Sequence, residues 1–176
     1  LKFGNPKIAI FAHMDSIGFT VKYSNELVKI GGPVTDEGIN LVGEDSKGKI
    51  DGKLIKKKEK LFIEFDREID RGTSLTFKMN FVSSKDYIKS CYLDNRLGVW
   101  NALKVAETLK NGVIVFSCWE EHGGGSVGFL SNYLYSNFNI SQALISDITW
   151  VTSGVKAGKG VAISLRDSGI PRRSYV

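Results

Sequence analysis

Val113-Ile114-Val115-Phe116-Ser117-Cys118-Trp119-Glu120-Glu121-His122-Gly123-Gly124-Gly125 runs from an apolar, β-branched stretch through two adjacent carboxylates into a glycine turn. Its first half has the composition of a buried strand, so the acids stand where a strand gives way to a turn. Neighbouring side chains diverge at a strand end, which lets one carboxylate join a metal's coordination while the other faces a substrate and handles protons. A Glu-Glu pair also suits a solvated helix, so the pair needs support from the rest of the chain.

Upstream, Leu97, Trp100, Leu103, Val105, Ala106 and Leu109 recur near helical spacing between Asp94 and Lys110, and Asn111-Gly112 stops the pattern. Downstream, Phe129, Leu130, Tyr133 and Leu134 predict a second helix, and Ala143-Leu144-Ile145-Ser146 a further interior strand ending at Asp147. Lys7 to Ala12 reads as another interior strand, ending in His13-Met14-Asp15. Strand, helix, strand, helix, strand is α/β architecture, here expected as a mixed central sheet flanked by helices. From about Val21 to Lys89 the pattern changes to short alternating pieces such as Glu26-Leu27-Val28-Lys29-Ile30 and Leu61-Phe62-Ile63-Glu64-Phe65, punctuated by glycines and with nothing helical. That region reads as a small all-β barrel or sandwich. The expected organisation is an α/β domain from residues 1–20 and 90–176, incomplete as it stands, interrupted by a β domain at 21–89.

With 176 residues and 42% hydrophobic content, the chain can bury a real core. No apolar run approaches the roughly 20 residues that cross a bilayer, and no basic-then-apolar leader opens it, so a soluble protein without a membrane role is expected. Cys91 and Cys118 lie in unrelated segments and make no CxxC; small buried thiols in a reducing cytoplasm account for them. The net charge of +5 is concentrated in Lys47, Lys49, Lys53, Lys56, Lys57, Lys58 and Lys60. That stretch alternates with Ile50, Leu54 and Ile55 and lacks aromatics for base stacking, so it reads as a solvated strand face rather than a nucleic-acid site. The chain starts at Leu1 without a methionine and stops at Tyr175-Val176 without terminal punctuation, which suggests a fragment of something longer.

Four segments expected to end at one sheet edge each deliver an acid or an imidazole: His13 with Asp15, Asp94, Glu120 with Glu121, and Asp147. A mixed His/carboxylate set suits a divalent ion such as Zn²⁺, Mn²⁺ or Co²⁺. If the first strand continues, Asp15 shares a face with His13 and accepts the ring N–H not used on the metal, fixing the tautomer. Asp94 also suits a helix N-cap, and Asp147 a turn. Gly123-Gly124-Gly125 lacks a P-loop lysine; the glycines are expected to let backbone crowd against a metal site. Arg96 either pairs with a site carboxylate or covers the following helix.

Ala12-His13-Met14-Asp15-Ser16-Ile17-Gly18-Phe19, Leu93-Asp94-Asn95-Arg96-Leu97-Gly98, Glu120-Glu121-His122-Gly123 and Asp147-Ile148-Thr149 resemble, in order, the signatures of the tetrahedral (TET) aminopeptidases, which include the glutamyl aminopeptidases. The resemblance covers most of the chain, β insertion included. It implies a metal-dependent aminopeptidase of short peptides in which Asp94 bridges two divalent ions, His13 and Asp147 complete one, and Glu121 holds the other. Zinc or cobalt would be the ions, with manganese as a further candidate. Glu120 would be the general base, since two cations about 3.5–4 Å apart acidify water and polarise a peptide carbonyl. The resemblance also implies a cis peptide at Asp94-Asn95 and a homo-oligomer assembled through the β insertion into a hollow particle.

The chain departs from the family's pattern in three places. The family has a further histidine ligand in its last third, whereas this chain has two histidines, His13 and His122. His122 directly follows Glu121 and would need an awkward turn to reach the same ion, so the missing histidine is expected beyond Val176. Ser16 stands where the family usually has a carboxylate, and Trp119 where a polar residue often precedes the Glu pair. The alternative is an incompetent homologue or fragment with a structural role. The preferred N-terminal residue is not legible.

Overall fold

A computed structural model describes residues 1–164; the Tyr175-Val176 end lies outside the described residues. In chain order the strands are β1 (Lys2–Phe3), β2 (Ile8–His13), β3 (Gly18–Val21), β4 (Glu26–Ile30), β5 (Asn40–Asp45), β6 (Gly48–Lys57), β7 (Lys60–Glu64), β8 (Ser74–Phe77), β9 (Val82–Ser83) and β10 (Ile88–Lys89). Then follow α1 (Leu93–Ala106), β11 (Gly112–Ser117), α2 (Val127–Asn137) and β12 (Gln142–Ile145). A single 3-10 turn, Tyr23–Asn25, interrupts the region expected to hold no helix.

The sheet has the order β1-β11-β2-β12; β2 runs parallel to β11 and β12, and β1 antiparallel to β11, which makes it mixed. Alternation sorts its side chains onto two faces. Ala9, Val113 and Val115 pack with Phe11 toward Leu134 and Leu130 of α2. Ile10, Ala12 and Ile114 pack with Phe116 toward Ala102, Val99 and Ala106 of α1. The helix read from Leu97, Trp100 and Leu103 forms, but those three side chains are exposed and the buried positions are Asn95, Gly98 and Ala102. Small residues face the sheet because they let α1 lie close over β2.

β12 departs from expectation as well. It was read as an interior strand, yet among the described residues it is the sheet's edge, with Leu144 58% and Ile145 71% exposed.

Between β2 and α1 the chain forms a closed antiparallel barrel, β3-β4-β7-β6-β5-β8. Inward positions alternate along each strand: Phe19 and Val21, Ile50 and Leu54, with Leu27, Leu41, Ile63, Ile69 and Leu75 completing the core. Burying each such side chain contributes about 1.5–3 kcal/mol. Lys49 and Lys53 take outward positions of β6, each directly before a buried residue, Ile50 and Leu54. The barrel's first strand begins at Gly18, inside the span assigned from sequence to the α/β part, and its last ends at Phe77. β9 and β10 form a separate hairpin. No helix among the described residues is long and apolar enough to cross a membrane.

Candidate metal centre

β2 ends on His13, which is 4% exposed. Because β2 is parallel to both neighbours, the three strands finish at one edge. Ser117 pairs with His13, so the Trp119–Glu121 loop falls beside the imidazole; Ile145 pairs with Phe11, which brings Asp147 alongside two residues later. α1 begins at the same edge. Its first residues are not yet helical, Asp94 having φ −82° and ψ 110°, and the Asp94-Asn95 peptide is cis.

Around His13 Nε2 stand Asp94 Oδ1 at 3.0 Å, Asp147 Oδ1 at 3.8 Å and Glu120 Oε2 at 3.9 Å. Nδ1 lies 3.1 Å from the main-chain oxygen of Asp15. With Nδ1–H donating to that carbonyl, a neutral ring turns its Nε2 lone pair on three carboxylates. Acceptors facing acceptors call for a cation between them, a proton or a metal ion. His13, Asp94 and Glu121 each offer a ligand atom within 4.8 Å of the others, so this donor set fits a divalent ion.

The electrostatics agree with that reading. Burial pushes the His13 imidazole down, but the charges of Asp147, Glu120 and Asp94, with the Asp15 carbonyl, outweigh it and the net shift is up. Burial lifts the Glu120 carboxyl, and Asp147, Asp94 and Asp15 add to that against the opposing imidazole. Glu121 is raised by burial, then by Asp94 and Glu120. Negative charge is thus crowded around one buried imidazole, the condition that favours a bound cation.

Asp15 takes a different position from the one expected. β2 ends at His13, so Asp15 is not on a continuing strand face, and its carboxylate stays 3.5 Å from Nδ1 while its carbonyl takes the hydrogen bond. The carboxylate instead accepts the main-chain N–H groups of Glu120 and Glu121.

Arg96 places its guanidinium 5.3 Å from the Tyr92 ring centroid. Tyr92 itself accepts the Phe77 N–H through Oη and stacks on the Phe77 ring, joining the start of α1 to the barrel. Gly123 and Gly124 have φ of +90° and +74° and open space where a Cβ would sit, so they serve a left-handed turn rather than a close approach. His122 on that turn is exposed. Cys118 is exposed and Cys91 partly so, not the buried thiols expected.

Two contributors were missed from sequence. Gly31, just past β4 on the barrel, abuts Glu121: a Cβ there would lie 3.1 Å from Glu121 Oε2. A Gly-Gly pair signals a turn but not what the turn touches. Asn95 was quoted within a motif without a role, and it is 2% exposed. Beside His13, Glu120 and Asp147 opens a cavity of about 320 Å³ walled by Phe11, Ala12, Val127, Ala143 and Ile145.

Residues 49–175 match the family described as M42 glutamyl aminopeptidase. Among solved structures, the dodecamer PhTET1-12s is 25% identical and superposes with a TM-score of 0.70 over 91% of this chain and 59% of that one. The TET1 peptidase of Pyrococcus horikoshii, described as assembling into a tetrahedron or a large octahedral shell, has 24% identity, the same coverages and a TM-score of 0.68. A Thermotoga maritima protein described as an endoglucanase shares the fold at 17% identity, with a TM-score of 0.61 over 81% of this chain and 49% of that one. No curated protein matches significantly. The chain therefore spans 59% of the length of the TET1 structures.

Proposed function

Because the chain belongs to the M42 glutamyl aminopeptidase family, we propose that it carries the metal-binding part of an aminopeptidase that removes residues from the N-terminus of short peptides. One observation supports this above the rest: His13 Nε2 faces carboxylates brought by three other segments, all within 3.9 Å. In this reading Asp94, His13, Asp147 and Glu121 would together hold two divalent ions, Asp94 being shared between them; zinc, cobalt and manganese suit the donors. Ions held there would polarise the scissile carbonyl and acidify the attacking water.

The protein's own groups do the rest. Glu120, deprotonated, accepts the water's proton at a carboxylate oxygen and returns it to the leaving amine nitrogen as the C–N bond breaks. The Asp15 carbonyl holds Nδ1–H and so keeps Nε2 turned inward. The largely apolar cavity beside Glu120 offers room for an apolar part of a substrate.

Self-assembly through the barrel is part of the proposal, supported by the assembly of PhTET1-12s as a dodecamer. So are peptide rather than nucleic-acid substrates and a cytoplasmic setting.

Metal analysis combined with hydrolysis of aminoacyl chromogenic amides, on the parent and on Glu120→Gln, tests the reading. Retained metal with turnover reduced about 10²–10⁴-fold is expected. A metal-free, inert parent would overturn it. A second reading, an inactive homologue or fragment with a structural role, is favoured by the exposed His122. Among the described residues only His13 brings an imidazole to the site.

A further inference from the structure

A single buried amide ties together the backbone at two of the site's carboxylates. Asn95 Nδ2 donates to the Ser146 carbonyl at 2.8 Å, and its Oδ1 accepts the Gly98 N–H at 3.0 Å. Asn95 directly follows Asp94, and Ser146 directly precedes Asp147. The Ser146 N–H is held by the Phe11 carbonyl of β2 at 2.8 Å, so both main-chain polar groups of that residue are engaged, one by the sheet and one by Asn95.

α1 is pared down where this clasp passes. A Cβ on Gly98 would lie 2.1 Å from Asn95 Oδ1 and 2.2 Å from the Ser146 carbonyl oxygen, so no larger residue fits without displacing one of them. Among the described residues β12 is the sheet's edge strand, with every residue exposed. Asp94 and Asp147, like charges both turned toward His13 Nε2, repel each other. The Asp147 carboxylate accepts the Ile148 N–H at 2.8 Å, and the Asn95 amide ties the preceding backbone to the start of α1.

We propose that Asn95 is a positioning residue that holds Asp147 beside Asp94 and thereby sets the affinity for the ion those carboxylates would share with His13. The proposal rests on the metal-centre reading above and deepens it. Asparagine suits the task because one face of its amide donates while the other accepts; aspartate keeps the shape but presents an acceptor to the Ser146 carbonyl.

The test titrates Co²⁺ into the full chain and into Asn95→Asp, by calorimetry and by the visible absorption of bound cobalt, which reports coordination geometry. Asn95→Asp is expected to keep its fold by circular dichroism, to bind about 10–100-fold more weakly, and to show an altered spectrum. Gly98→Ala keeps the amide but pushes on the Ser146 carbonyl, so it should give the same loss and serves if the first variant does not fold. Ser146→Ala leaves the carbonyl in place and is expected to bind as the parent does. Folded Asn95→Asp and Gly98→Ala with the parent's affinity and spectrum would overturn the positioning role alone. A parent that takes up no Co²⁺ would overturn the metal centre and this proposal with it.

Discussion

The carboxylate of Asp15 accepts the Glu121 N–H through one oxygen at 3.1 Å and the Glu120 N–H through the other, also at 3.1 Å. Asp15 lies two residues past His13, so the loop that carries both glutamates is pinned to the strand end that carries the imidazole. Hydrogen bonds to a charged acceptor contribute about 1.5–3 kcal/mol each. Asp15→Ala releases both N–H groups, and kcat for a chromogenic amide should fall about 10²-fold, as for a small misplacement of reacting groups. Asp15→Asn, which keeps one acceptor, should fall between. Parent-like kcat in Asp15→Ala would show that the loop holds itself.

Gly31 supplies the site's contact with the barrel. Its φ of +67° already disfavours a side chain, and a Cβ would meet Ile17 Cγ2 at 2.8 Å as well as Glu121. Gly31→Ala should lose about 1–2 kcal/mol of stability from the left-handed backbone and also weaken metal binding by displacing Glu121. Gly32→Ala has open space and should stay within about 0.5 kcal/mol of the parent. Urea unfolding and metal titration separate the two effects. Unchanged metal affinity in Gly31→Ala would mean that Glu121 moves without consequence.

How much of this was readable follows from the range of the forces involved. The continuous apolar runs Ile8 to Ala12 and Val113 to Phe116 encode strands buried on both faces, and a helix covers each side. The barrel was readable from a different signal, the alternation of its short strands. Helical spacing located α1 but not its buried face, since Leu97, Trp100 and Leu103 look like core while Gly98 and Ala102 do the packing. The ordered acids and His13 marked side chains that the structure brings together at one sheet edge. The bonds from Asp15 to a loop more than a hundred residues away, and the approach of Gly31 to Glu121, are tertiary contacts without a local pattern.

Leu54, fully buried on β6, tests the barrel as a packed unit. Leu54→Ala should cost about 2–5 kcal/mol, depending on how far the surrounding side chains collapse into the space. Chemical denaturation at neutral pH measures it. A loss below about 1 kcal/mol would mean that the barrel interior is not close-packed.

Asp45 is the barrel's acid-sensitive joint. Its side chain is shielded from solvent and grips Arg67 through two hydrogen bonds of 2.6 and 2.8 Å while accepting the N–H groups of Lys47 and Asp70. The Arg67 guanidinium, helped by those N–H groups, holds the carboxyl well below its ordinary value of 3.8. A carboxylate whose pKa is depressed by folding binds protons more readily when unfolded. Its contribution is therefore fully present above the ordinary value and drains away as pH falls below it. Stability measured by urea unfolding should decline more steeply below about pH 4 in the parent than in Asp45→Asn, which is weaker at neutral pH and has no proton to gain there. Added salt should change the difference little, because the pair is shielded from solvent. Parallel acid limbs in the two proteins would show that other carboxylates govern the decline.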